Sequence, residues 1–421
     1  MVDEAAMAVR GAIVVGGFVN GLGLVRALGA RGIPVLVVAT QPYDVAHRSR
    51  FCTEHARVDG VGEHPERLVE LLRARVASHR GWAVVPSTYE GVAALASWRG
   101  ELEKDFVLAA PTPDAARVLL DKNAMRKAAS AVGIACPTSY GPAGDAVLTR
   151  DDLVYPLVVK PRRSFGFGAR FGGKLFFATT RNELADAVVR VGDAGIAADV
   201  DAFVAGTDAD IWAHCTYLDA RGEARGGVTI RKLRQAPARF GVARVAEIAA
   251  DPADLRGATI ALARAIGLRG IAVAEFKRDA ADGVFRFIEI NGRSVIYNGL
   301  LRRAGLDLAA LAWSDYVEGA PANATTTEWP GVWIHLHADV LHALVNGRRE
   351  GLALGDFVAP YRRPRIFGVW SVADPRPFFA EWARTAREAI GLPRAERAMG
   401  GYADAGRAQR DATARNFRPL P

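Results

Sequence analysis

Residues 273–291 read VAEFKRDAADGVFRFIEIN and are the most informative segment of the chain. Two apolar runs with strand character flank a turn rich in Asp, Ala and Gly, which predicts a β-hairpin. A turn centred near Asp282 places Glu275 directly opposite Glu289, and Asn291 then points to the same face two residues later. Like charges directly opposite each other on a sheet repel, so the arrangement favours a bound cation between them.

The oxygen atoms of this hairpin suit a hard metal ion. Two carboxylates and an amide provide only oxygen ligands, and Mg²⁺ combines such ligands with the oxygens of substrate phosphates. The hairpin therefore predicts a site for a metal ion and a nucleotide. The alternative is a solvated strand face that carries scattered acidic residues, and the rest of the chain has to decide between the two.

The composition is that of a globular protein with more than one domain. With 421 residues the chain exceeds the size of one small core, and roughly two to four domains are expected. No apolar run reaches the length that spans a bilayer. The first four residues, MVDE, do not resemble a secretory signal, and three widely spaced cysteines argue against disulfides or a zinc site. We therefore expect a cytoplasmic protein with no membrane partner.

The net charge of +8 is carried almost entirely by arginine. A basic chain can bind nucleic acid, but these arginines are spread among alanines and glycines, and no basic stretch is interleaved with aromatic residues. We expect no nucleic-acid partner; codon bias explains the excess, and attraction for anionic substrates is the alternative. Lysine is scarce, so a lysine in an apolar strand indicates a point charge for a phosphate. The lysines are at positions 104, 122, 127, 160, 174, 232 and 277.

A βαβ unit opens the chain. Residues 11–15 and 33–38 are predicted to be buried strands, and a glycine-rich segment between them leads into a helix. The glycines do not fit the dinucleotide pattern G-x-G-x-x-G, because Arg26 stands at the third-glycine position after Gly21 and Gly23. No acidic residue ends the second strand. A nicotinamide-dependent oxidoreductase is therefore disfavoured, and the loop is expected to bind an anion or carboxylate or to be a tight turn.

Helix starts follow at three places. After a strand at 82–86, Ser87 and Glu90 fit a capping box, and a substrate contact at the end of this strand is the alternative. Pro113 marks a boundary and a helix start, and Asp121 is predicted to cap the next helix. A new unit is then expected to begin near residue 136.

A strand that ends in a lysine and a glycine-rich loop come next. Residues 155–161 form an apolar strand with Lys160 at its end, and a lysine has few structural uses on a buried strand. Residues 162–174 are predicted to be a flexible loop rich in glycine and arginine, and a further strand is expected near 200–204. Lys160 and the loop are therefore candidates for binding a phosphate chain.

The C-terminal part changes in character after about residue 325. His335 and His337 are predicted to alternate on a strand, where they could bind metal, but no further His or Cys lies nearby in sequence, which disfavours a metal site there. The Ala-, Arg- and Gly-rich residues beyond about 394 are expected to be partly disordered.

The order and spacing of these motifs resemble the ATP-grasp superfamily, and in particular its bacterial carboxylate–amine ligases. The resemblance covers residues 11–320 and, more loosely, 330–380. Relatives usually carry Gln-Glu before the hinge strand, whereas this chain has VDA at 200–202, and they often carry Asn-Pro-Arg where it has NGR at 291–293. The matching motifs are Val159-Lys160-Pro161, Arg231-Lys232-Leu233-Arg234, Glu275-Phe276-Lys277-Arg278-Asp279 and Glu289-Ile290-Asn291-Gly292-Arg293.

The resemblance implies ATP and Mg²⁺ as cofactors, with Mn²⁺ as an alternative metal, and it implies a role for each matching residue. Glu275, Glu289 and Asn291 would hold one or two metal ions. Arg293, Lys232 and Arg231 would be the catalytic residues that face the transferring phosphoryl group or the acyl-phosphate. The implied nucleotide contacts are Lys122, Lys160, Ser164, Gly166, Gly168, Asp201, Phe203, Val204 and Asp208, with the lysines and the glycine loop on the phosphates and Asp208 on the ribose.

The resemblance also implies the fold and its division into domains. An α/β, Rossmann-like pre-ATP-grasp domain would precede a two-lobed ATP-grasp fold of α+β character. The expected boundaries are 1–115 for the N-terminal domain, 116–198 for the lid subdomain, 199–325 for the subdomain with the metal site, and 326–421 for a C-terminal extension.

The implied activity is ATP-dependent ligation of a carboxylate to an amine through an acyl-phosphate, with release of ADP and phosphate. An ATP-grasp small-molecule kinase or carboxylase is the alternative, a nicotinamide-dependent oxidoreductase comes third, and a non-catalytic nucleic-acid binder is least supported. The expected partners are a small-molecule carboxylate and an amine, one of them an amino acid, and a second copy of the chain in a homodimer. The sequence names neither substrate.

Overall fold

The computed structural model describes residues 10–163, 167–238, 240–348 and 350–389. The chain divides into two compact units. The expected disorder of the last residues, and the contacts predicted for Ser164 and Gly166, lie outside the described residues. Within the described residues, the first unit contains 10–116, 207–275 and 290–389, and the second contains 117–206 and 276–289.

The secondary structure alternates between helices and strands, as an α/β chain does. The helices are α1 (Val19–Gly29), α2 (Glu66–His79), α3 (Tyr89–Ser97), α4 (Arg99–Leu102), α5 (Pro113–Leu119), α6 (Lys122–Ala131), α7 (Asp145–Leu148), α8 (Phe167–Phe171), α9 (Arg181–Asp193), α10 (Leu255–Ala265), α11 (Asn298–Arg303), α12 (Leu308–Tyr316), α13 (Leu336–Asn346), α14 (Leu354–Val358) and α15 (Arg376–Ala389). The strands are β1 (Ala12–Val15), β2 (Val35–Ala39), β3 (Glu54–Arg57), β4 (Ala83–Pro86), β5 (Val107–Leu108), β6 (Ser139–Pro142), β7 (Leu157–Pro161), β8 (Phe176–Ala178), β9 (Ala198–Ala202), β10 (Ile211–Leu218), β11 (Ala224–Ala236), β12 (Val242–Ile248), β13 (Gly270–Arg278), β14 (Phe285–Asn291), β15 (Val332–Ile334) and β16 (Arg365–Phe367). The predicted mixed α/β class is confirmed.

A parallel five-stranded sheet of order β3-β2-β1-β4-β5 forms the N-terminal part of the first unit. Strands β1, β2 and β4 are apolar because both of their faces are covered, whereas the edge strand β3 is polar and mostly exposed. Val14 belongs to the cluster that includes the apolar face of α1, whereas Ile13 packs with residues of α2 and α3. The strand order reverses between β1 and β4, and the carboxyl ends of two such strands flank a crevice in sheets of this kind.

Two glycines after β1 are required by close packing. A Cβ atom at Gly21 would lie 2.0 Å from the carbonyl oxygen of Gly16, and one at Gly23 would lie 2.7 Å from Cβ of Asn298. Both contacts are too short for a side chain. The glycines that partly resemble a dinucleotide loop therefore allow α1 to approach the β1 loop and the first residue of α11.

An antiparallel four-stranded sheet of order β6-β9-β7-β8 forms the core of the second unit. Its register places Lys160 on β7 opposite Asp199 on β9, and Val158 opposite Asp201. The predicted helix cap is confirmed, because Asp121 accepts hydrogen bonds from the backbone N–H groups of Asn123 and Ala124. The prediction of a loop over the whole of 162–174 is wrong for the five residues of α8, where Phe167 is buried in the core of this unit.

A seven-stranded sheet has the order β14-β13-β10-β11-β12-β15-β16. The hairpin predicted at 273–291 is confirmed, since β13 and β14 are neighbours and Asp279 N–H donates to the carbonyl oxygen of Val284 at 2.9 Å. The pairing of β11 with β12 shifts register on both sides of Arg234. Such irregularities re-aim side chains on a strand.

The capping box predicted at Ser87 is wrong. Thr88 is the N-cap of α3, and its side chain accepts a hydrogen bond from the backbone N–H of Gly91. Ser87 is buried, and its hydroxyl donates to the carbonyl oxygen of Gly16 at 3.0 Å. Ser87 and Thr88 both fit the sequence signature of an N-cap. Ser87 does not cap the helix because its hydroxyl is hydrogen-bonded to the loop after β1.

The strand predicted to carry His335 and His337 ends before both residues. β15 stops at Ile334, and His337 lies in the first turn of α13. Nε2 of His335 lies 2.9 Å from Oε1 of Glu381 on α15, and Nδ1 of His337 lies 3.4 Å from the same oxygen. All three side chains are buried. The two histidines therefore hold α15 against the end of β15 and the start of α13.

Candidate active site

The segment that follows Asn291 is anchored at the carboxyl edge of the parallel sheet. Nδ2 of Asn20, at the start of α1, donates to the carbonyl oxygens of Ser87 and Ser294, each at 3.2 Å. In return, the hydroxyl of Ser294 donates to the carbonyl oxygen of Asn20 at 2.9 Å. Nδ2 of Asn298 donates to Oγ of Ser294 at 2.6 Å. Residues 292–298 are thus fixed beside the β1 and β4 ends, which flank the crevice.

Tyr89 contacts two of the predicted site residues. Its hydroxyl donates to Oδ1 of Asn291 at 2.6 Å, and the guanidinium of Arg293 lies 4.1 Å from the centre of its ring. Asn291 is only 3% exposed, so its amide is held in a defined place. Tyr89 was not predicted to be a site residue, although a substrate contact at the end of this strand was one of the two predictions for this segment.

Lys232 and Glu275 form a short ion pair. Nζ of Lys232 lies 2.6 Å from Oε2 of Glu275, and their side chains are 7% and 15% exposed. The charge of this carboxylate is therefore compensated within the first unit. Removing one partner of such a buried pair is costly, because it leaves an uncompensated charge. The structure thus brings together two residues that the sequence assigned to different roles.

Arg231 lies against a different carboxylate. Its Nη2 is 2.8 Å from Oε1 of Glu247 on β12, and Nη1 of Arg363 lies 2.7 Å from the other oxygen of the same carboxylate. Neighbouring residues on a strand point to opposite faces, which separates Arg231 from Lys232. The predicted catalytic role of Arg231 stays a prediction. Lys232, in contrast, directly contacts Glu275, one of the predicted metal ligands.

The second unit gathers the predicted phosphate lysines around acidic residues. Nζ of Lys160 lies 2.7 Å from Oδ2 of Asp201, whose side chain is 2% exposed. Burial lowers the pKa of Lys122 to about 8; the carboxylate of Glu289 opposes this shift, and the positive charges of Lys160 and Lys174 add to it. A bound phosphate would favour the charged form of Lys122, since an opposite charge nearby raises the pKa of a lysine.

The hinge residues after β9 form an aromatic and apolar patch. The ring of Phe203 packs edge-on against Phe177 at 5.1 Å between centroids, and Nζ of Lys277 lies 4.5 Å from the Phe203 ring centre. Val204 is buried. The side chain of Lys277, whose role the sequence left open, thus contacts a predicted adenine-binding residue.

Two further predicted nucleotide contacts have defined places. Gly168 lies in α8, where its carbonyl oxygen accepts a bond from the backbone N–H of Gly172 at 2.8 Å. Oδ2 of Asp208 accepts a bond from the backbone N–H of Gln235 at 2.9 Å. Their roles toward phosphate and ribose stay predictions.

Known proteins resemble this chain in structure rather than in sequence. No protein-family model matches it, and no curated protein matches it in sequence. The structure of an L-amino acid ligase from Bacillus licheniformis is similar at a TM-score of 0.58 and 17% identity, over 73% of this chain and 74% of that one. A biotin carboxylase from Campylobacter jejuni in complex with β,γ-ATP is similar at 0.60 and 15% identity, over 76% and 74% of the two chains.

An N5-carboxyaminoimidazole synthetase from Staphylococcus aureus, solved with ADP, is similar at a TM-score of 0.60 and 14% identity, over 81% of this chain and 86% of that one. The chain has the ATP-grasp fold. The fold implied by the sequence motifs is thereby confirmed. Among the described parts of this ATP-grasp chain, no helix is long and apolar enough to cross a membrane.

Proposed function

We propose that this ATP-grasp protein is a ligase that joins a carboxylate to an amine and converts ATP to ADP and phosphate. The observation that carries the proposal is the pair of short contacts that fix Glu275 by Lys232 and Asn291 by Tyr89. They hold two oxygen ligands in place within one unit, as a site for a hard metal ion requires. The similarity to an L-amino acid ligase supports the same reaction class.

The nucleotide contacts follow from the charges of the second unit. Lys122 and Lys160 would bind the phosphates. In the free protein the carboxylates of Glu289 and Asp201 offset the positive charges of these lysines, and the phosphates would take over that role. Phe203 and Val204, with the backbone at Asp201, would receive the adenine, and Asp208 would accept the ribose hydroxyls. The backbone near Ser164, Gly166 and Gly168 would cover the phosphate chain.

The residues fit a magnesium ion bound together with a nucleotide. Glu275, Glu289 and Asn291 supply two carboxylates and one amide oxygen, and Mg²⁺ would complete its shell with phosphate oxygens and water. Within the described residues, no group of three or more His, Cys, Asp or Glu side chains could hold a metal ion by itself. When bound, the ion would neutralise charge that develops on the transferring phosphoryl group.

The reaction would proceed in two displacements. A carboxylate oxygen of the substrate attacks the γ-phosphorus of ATP, the bond to the β-phosphate oxygen breaks, and ADP leaves with that electron pair. The amine then attacks the carbonyl carbon of the acyl-phosphate, loses a proton, and expels phosphate. Arg293, whose guanidinium lies over the ring of Tyr89, would stabilise the anionic acyl-phosphate. Lys232, which contacts Glu275, would add its positive charge to this stabilisation.

A screen of paired substrates tests the proposal. Purified protein is incubated with ATP, Mg²⁺ and carboxylate–amine pairs, and phosphate release and product mass are measured. We expect ADP formation that requires both substrates, and its loss in Glu289→Ala with unchanged folding. Glu328→Gln, an exposed carboxylate of the first unit, is the matched control. Full activity of Glu289→Ala would refute the metal assignment.

The same screen separates a carboxylase from a ligase. Two of the similar structures are a biotin carboxylase and an N5-carboxyaminoimidazole synthetase, which favours carboxylation as the second candidate. Bicarbonate is therefore included as a separate acid. A carboxylated product formed only with bicarbonate would establish the carboxylase, and a phosphorylated product formed without any amine would establish a kinase.

A further inference from the structure

The first unit contains a cavity of about 430 Å³, which falls within the roughly 300–1,000 Å³ that small-molecule sites occupy. One wall is the end of β11, residues 233–235. The opposite wall comes from the C-terminal segment between His342 and Arg363. Among the described lining residues, only Asp208 has a role in the proposed function, so most of this surface has no assigned purpose.

The cavity lies on the face of the seven-stranded sheet that is opposite the proposed active site. Lys232 pairs with Ala246, which pairs with Trp333, and these three neighbours share one face of the sheet. Leu233 packs instead against the cluster that contains Val332, on the other face. A ligand in the cavity is therefore separated from the ion pair of Lys232 by the sheet itself and cannot take part in the ligation.

One end of the cavity has a surplus of positive charge. Arg231 and Arg363 share the carboxylate of Glu247, with nitrogen–oxygen distances of 2.8 and 2.7 Å. One negative charge thus faces two guanidinium groups, whose side chains are 37% and 39% exposed. Within the described residues, Arg363 donates only to Glu247 and to the carbonyl oxygen of Pro330, although a guanidinium has five N–H donors. Arg363 can therefore still bind the carboxylate of a ligand.

The C-terminal wall has a surplus of negative charge. The carboxylate of Asp356 has no hydrogen-bond or ion-pair partner within the described residues, and the residue is exposed. Glu350 lies 2.7 Å from Nε2 of His342, which is charged only when protonated. The two carboxylates face the cavity without a permanent counter-charge, and they favour a cationic group at this wall.

Arg234 holds this wall in place and is not a ligand group. It forms a bidentate ion pair with Asp339, with nitrogen–oxygen distances of 2.7 and 2.9 Å. It also donates to the carbonyl oxygens of Asp356 and Phe357, each at 3.2 Å. Its charge is matched by Asp339, so Arg234 fixes the position of Asp356 relative to β11.

Gln235 provides an independent sign of a ligand. The residue is 2% exposed, and its side-chain nitrogen has no hydrogen-bond partner within the described part of the chain. Buried donors are almost always satisfied by protein, water or ligand. The backbone N–H of Gln235 donates to Asp208 at 2.9 Å, which fixes the residue in the wall. Its amide thus adds a donor for an oxygen of a bound molecule, while Leu233, Leu352 and Pro360 provide the apolar part of the lining.

We propose that this cavity binds an α-amino acid with an apolar side chain, at a site separate from the site of ligation. The carboxylate of the ligand accepts from Arg363 and Gln235, its ammonium group lies toward Asp356 and Glu350, and its side chain packs on the leucines. A zwitterion matches both charged ends of the cavity, whereas a simple cation or a simple anion matches only one. The proposal does not depend on the ligase function.

Direct binding tests the proposal without any turnover. The full chain is titrated by calorimetry with L-leucine, with L-leucinamide, which lacks the carboxylate, and with 4-methylpentanoate, which lacks the ammonium group. We expect L-leucine to bind at least fivefold more tightly than either analogue. We also expect ADP with Mg²⁺ not to displace it, because the nucleotide is proposed to bind elsewhere.

Variants of the lining locate the bound amino acid. Asp356→Asn and Arg363→Gln should each weaken L-leucine roughly two- to fivefold, the range of a partly exposed ion pair. Gln235→Met should weaken it as well, and Arg363→Lys, which keeps the charge, should weaken it less than Arg363→Gln. Asp356 has no partner to lose within the described residues, so its variant remains informative if Arg363→Gln is found to be unfolded in urea. Glu328→Gln and Arg362→Gln, at exposed residues outside the lining, are the matched controls.

Four outcomes would overturn the proposal. Absence of L-leucine binding would remove the site, and equal binding of either analogue would show that one of the two charged ends is not used. An unchanged affinity in both Asp356→Asn and Gln235→Met would place L-leucine elsewhere on the chain. Competitive displacement of L-leucine by ADP would assign the cavity to the nucleotide, since Asp208 is shared by both proposals.

Discussion

Replacement of Tyr89 by phenylalanine isolates one hydroxyl group at the proposed metal site. The hydroxyl donates to Oδ1 of Asn291 at 2.6 Å, while the ring supports the guanidinium of Arg293 at 4.1 Å. Tyr89→Phe keeps the ring and removes only the hydrogen bond. Tyr89→Leu removes both contacts, so the two variants separate the metal ligand from the arginine.

The expected magnitude follows from the energy of one hydrogen bond. A typical bond contributes about 0.5–1.5 kcal/mol net, which corresponds to about a 2- to 13-fold change in an equilibrium constant. Groups that orient a metal ligand usually change metal affinity by about 10- to 100-fold. The two ranges meet near tenfold. We therefore expect Tyr89→Phe to bind the metal about tenfold more weakly and to lose about 1 kcal/mol of unfolding free energy.

The assay measures the metal directly. Mn²⁺ is titrated into the protein in the presence of a non-hydrolysable ATP analogue, and free Mn²⁺ is followed by electron paramagnetic resonance. Urea unfolding provides the stability of each variant. Tyr140→Phe is the matched control, because the Tyr140 hydroxyl accepts a hydrogen bond from the backbone N–H of Val154 at 3.1 Å within the second unit. We expect its Mn²⁺ affinity to equal that of the wild type.

A purely structural role of the Tyr89 hydroxyl predicts a different combination of stability and Mn²⁺ affinity. In that case Tyr89→Phe lowers the unfolding free energy but leaves the Mn²⁺ affinity unchanged, and the reasoning about Asn291 as a ligand fails. Loss of Mn²⁺ affinity in Tyr89→Leu alone would show that the ring and Arg293, rather than the hydroxyl, matter for the metal. Either result can be read without knowing the substrates.

Three further substitutions test buried charges. Lys232→Met should lower the unfolding free energy by about 3 kcal/mol in urea, because it leaves Glu275 without its counter-charge, and Mn²⁺ should restore part of the loss in the variant only. Burial raises the pKa of Asp44 to about 6, above its unfolded value of about 3.9, so the folded state binds more protons between these values and stability falls as the pH rises from about 4 to 6, by up to about 3 kcal/mol. Asp44→Asn should remove this contribution, so urea unfolding of the variant should show a smaller loss of stability between about pH 4 and 6 than the wild type. Burial raises the pKa of Glu381, but His335 and His337 more than offset this and hold it below its usual range, so its contribution is present above about pH 4.3 and is lost as the pH falls. Glu381→Gln should lower the unfolding free energy by about 3 kcal/mol at pH 7 and by progressively less in acid. Thermal unfolding at pH 7 and in acid would show this difference.

Local patterns in the sequence were sufficient for the parts of the site that lie on single elements. The hairpin around Glu275 and Asn291, the strand that carries Lys160 and the cap at Asp121 depend on periodicity and on turn or cap residues a few positions away. These features are confirmed because the residues that specify each of them lie within a short stretch of the chain. The cap assigned to Ser87 was wrong for the opposite reason, since its hydroxyl is used by the β1 loop.

Contacts between distant residues could not be predicted from one sequence. Tyr89 and Asn291 are 202 residues apart, and Lys232 and Glu275 are 43 apart. Each pair joins elements that are far apart in sequence, α3 with β14 and β11 with β13. The lysine was predicted as a catalytic residue and the glutamate as a metal ligand, and nothing in their local sequence indicates that they pair with each other.

The pairing of Lys232 with Glu275 bears on which form of the metal can bind. A free divalent cation that approaches Glu275 meets an ammonium group 2.6 Å from the same carboxylate, and like charges at such distances repel strongly in a partly buried site. A metal ion that arrives on ATP brings phosphates whose negative charge attracts the same lysine. Lys232 therefore opposes the free ion and favours the metal–nucleotide complex. Its removal should make free Mn²⁺ bind more tightly and the Mn²⁺–nucleotide complex more weakly, a reversal that a lysine with only a structural role would not produce.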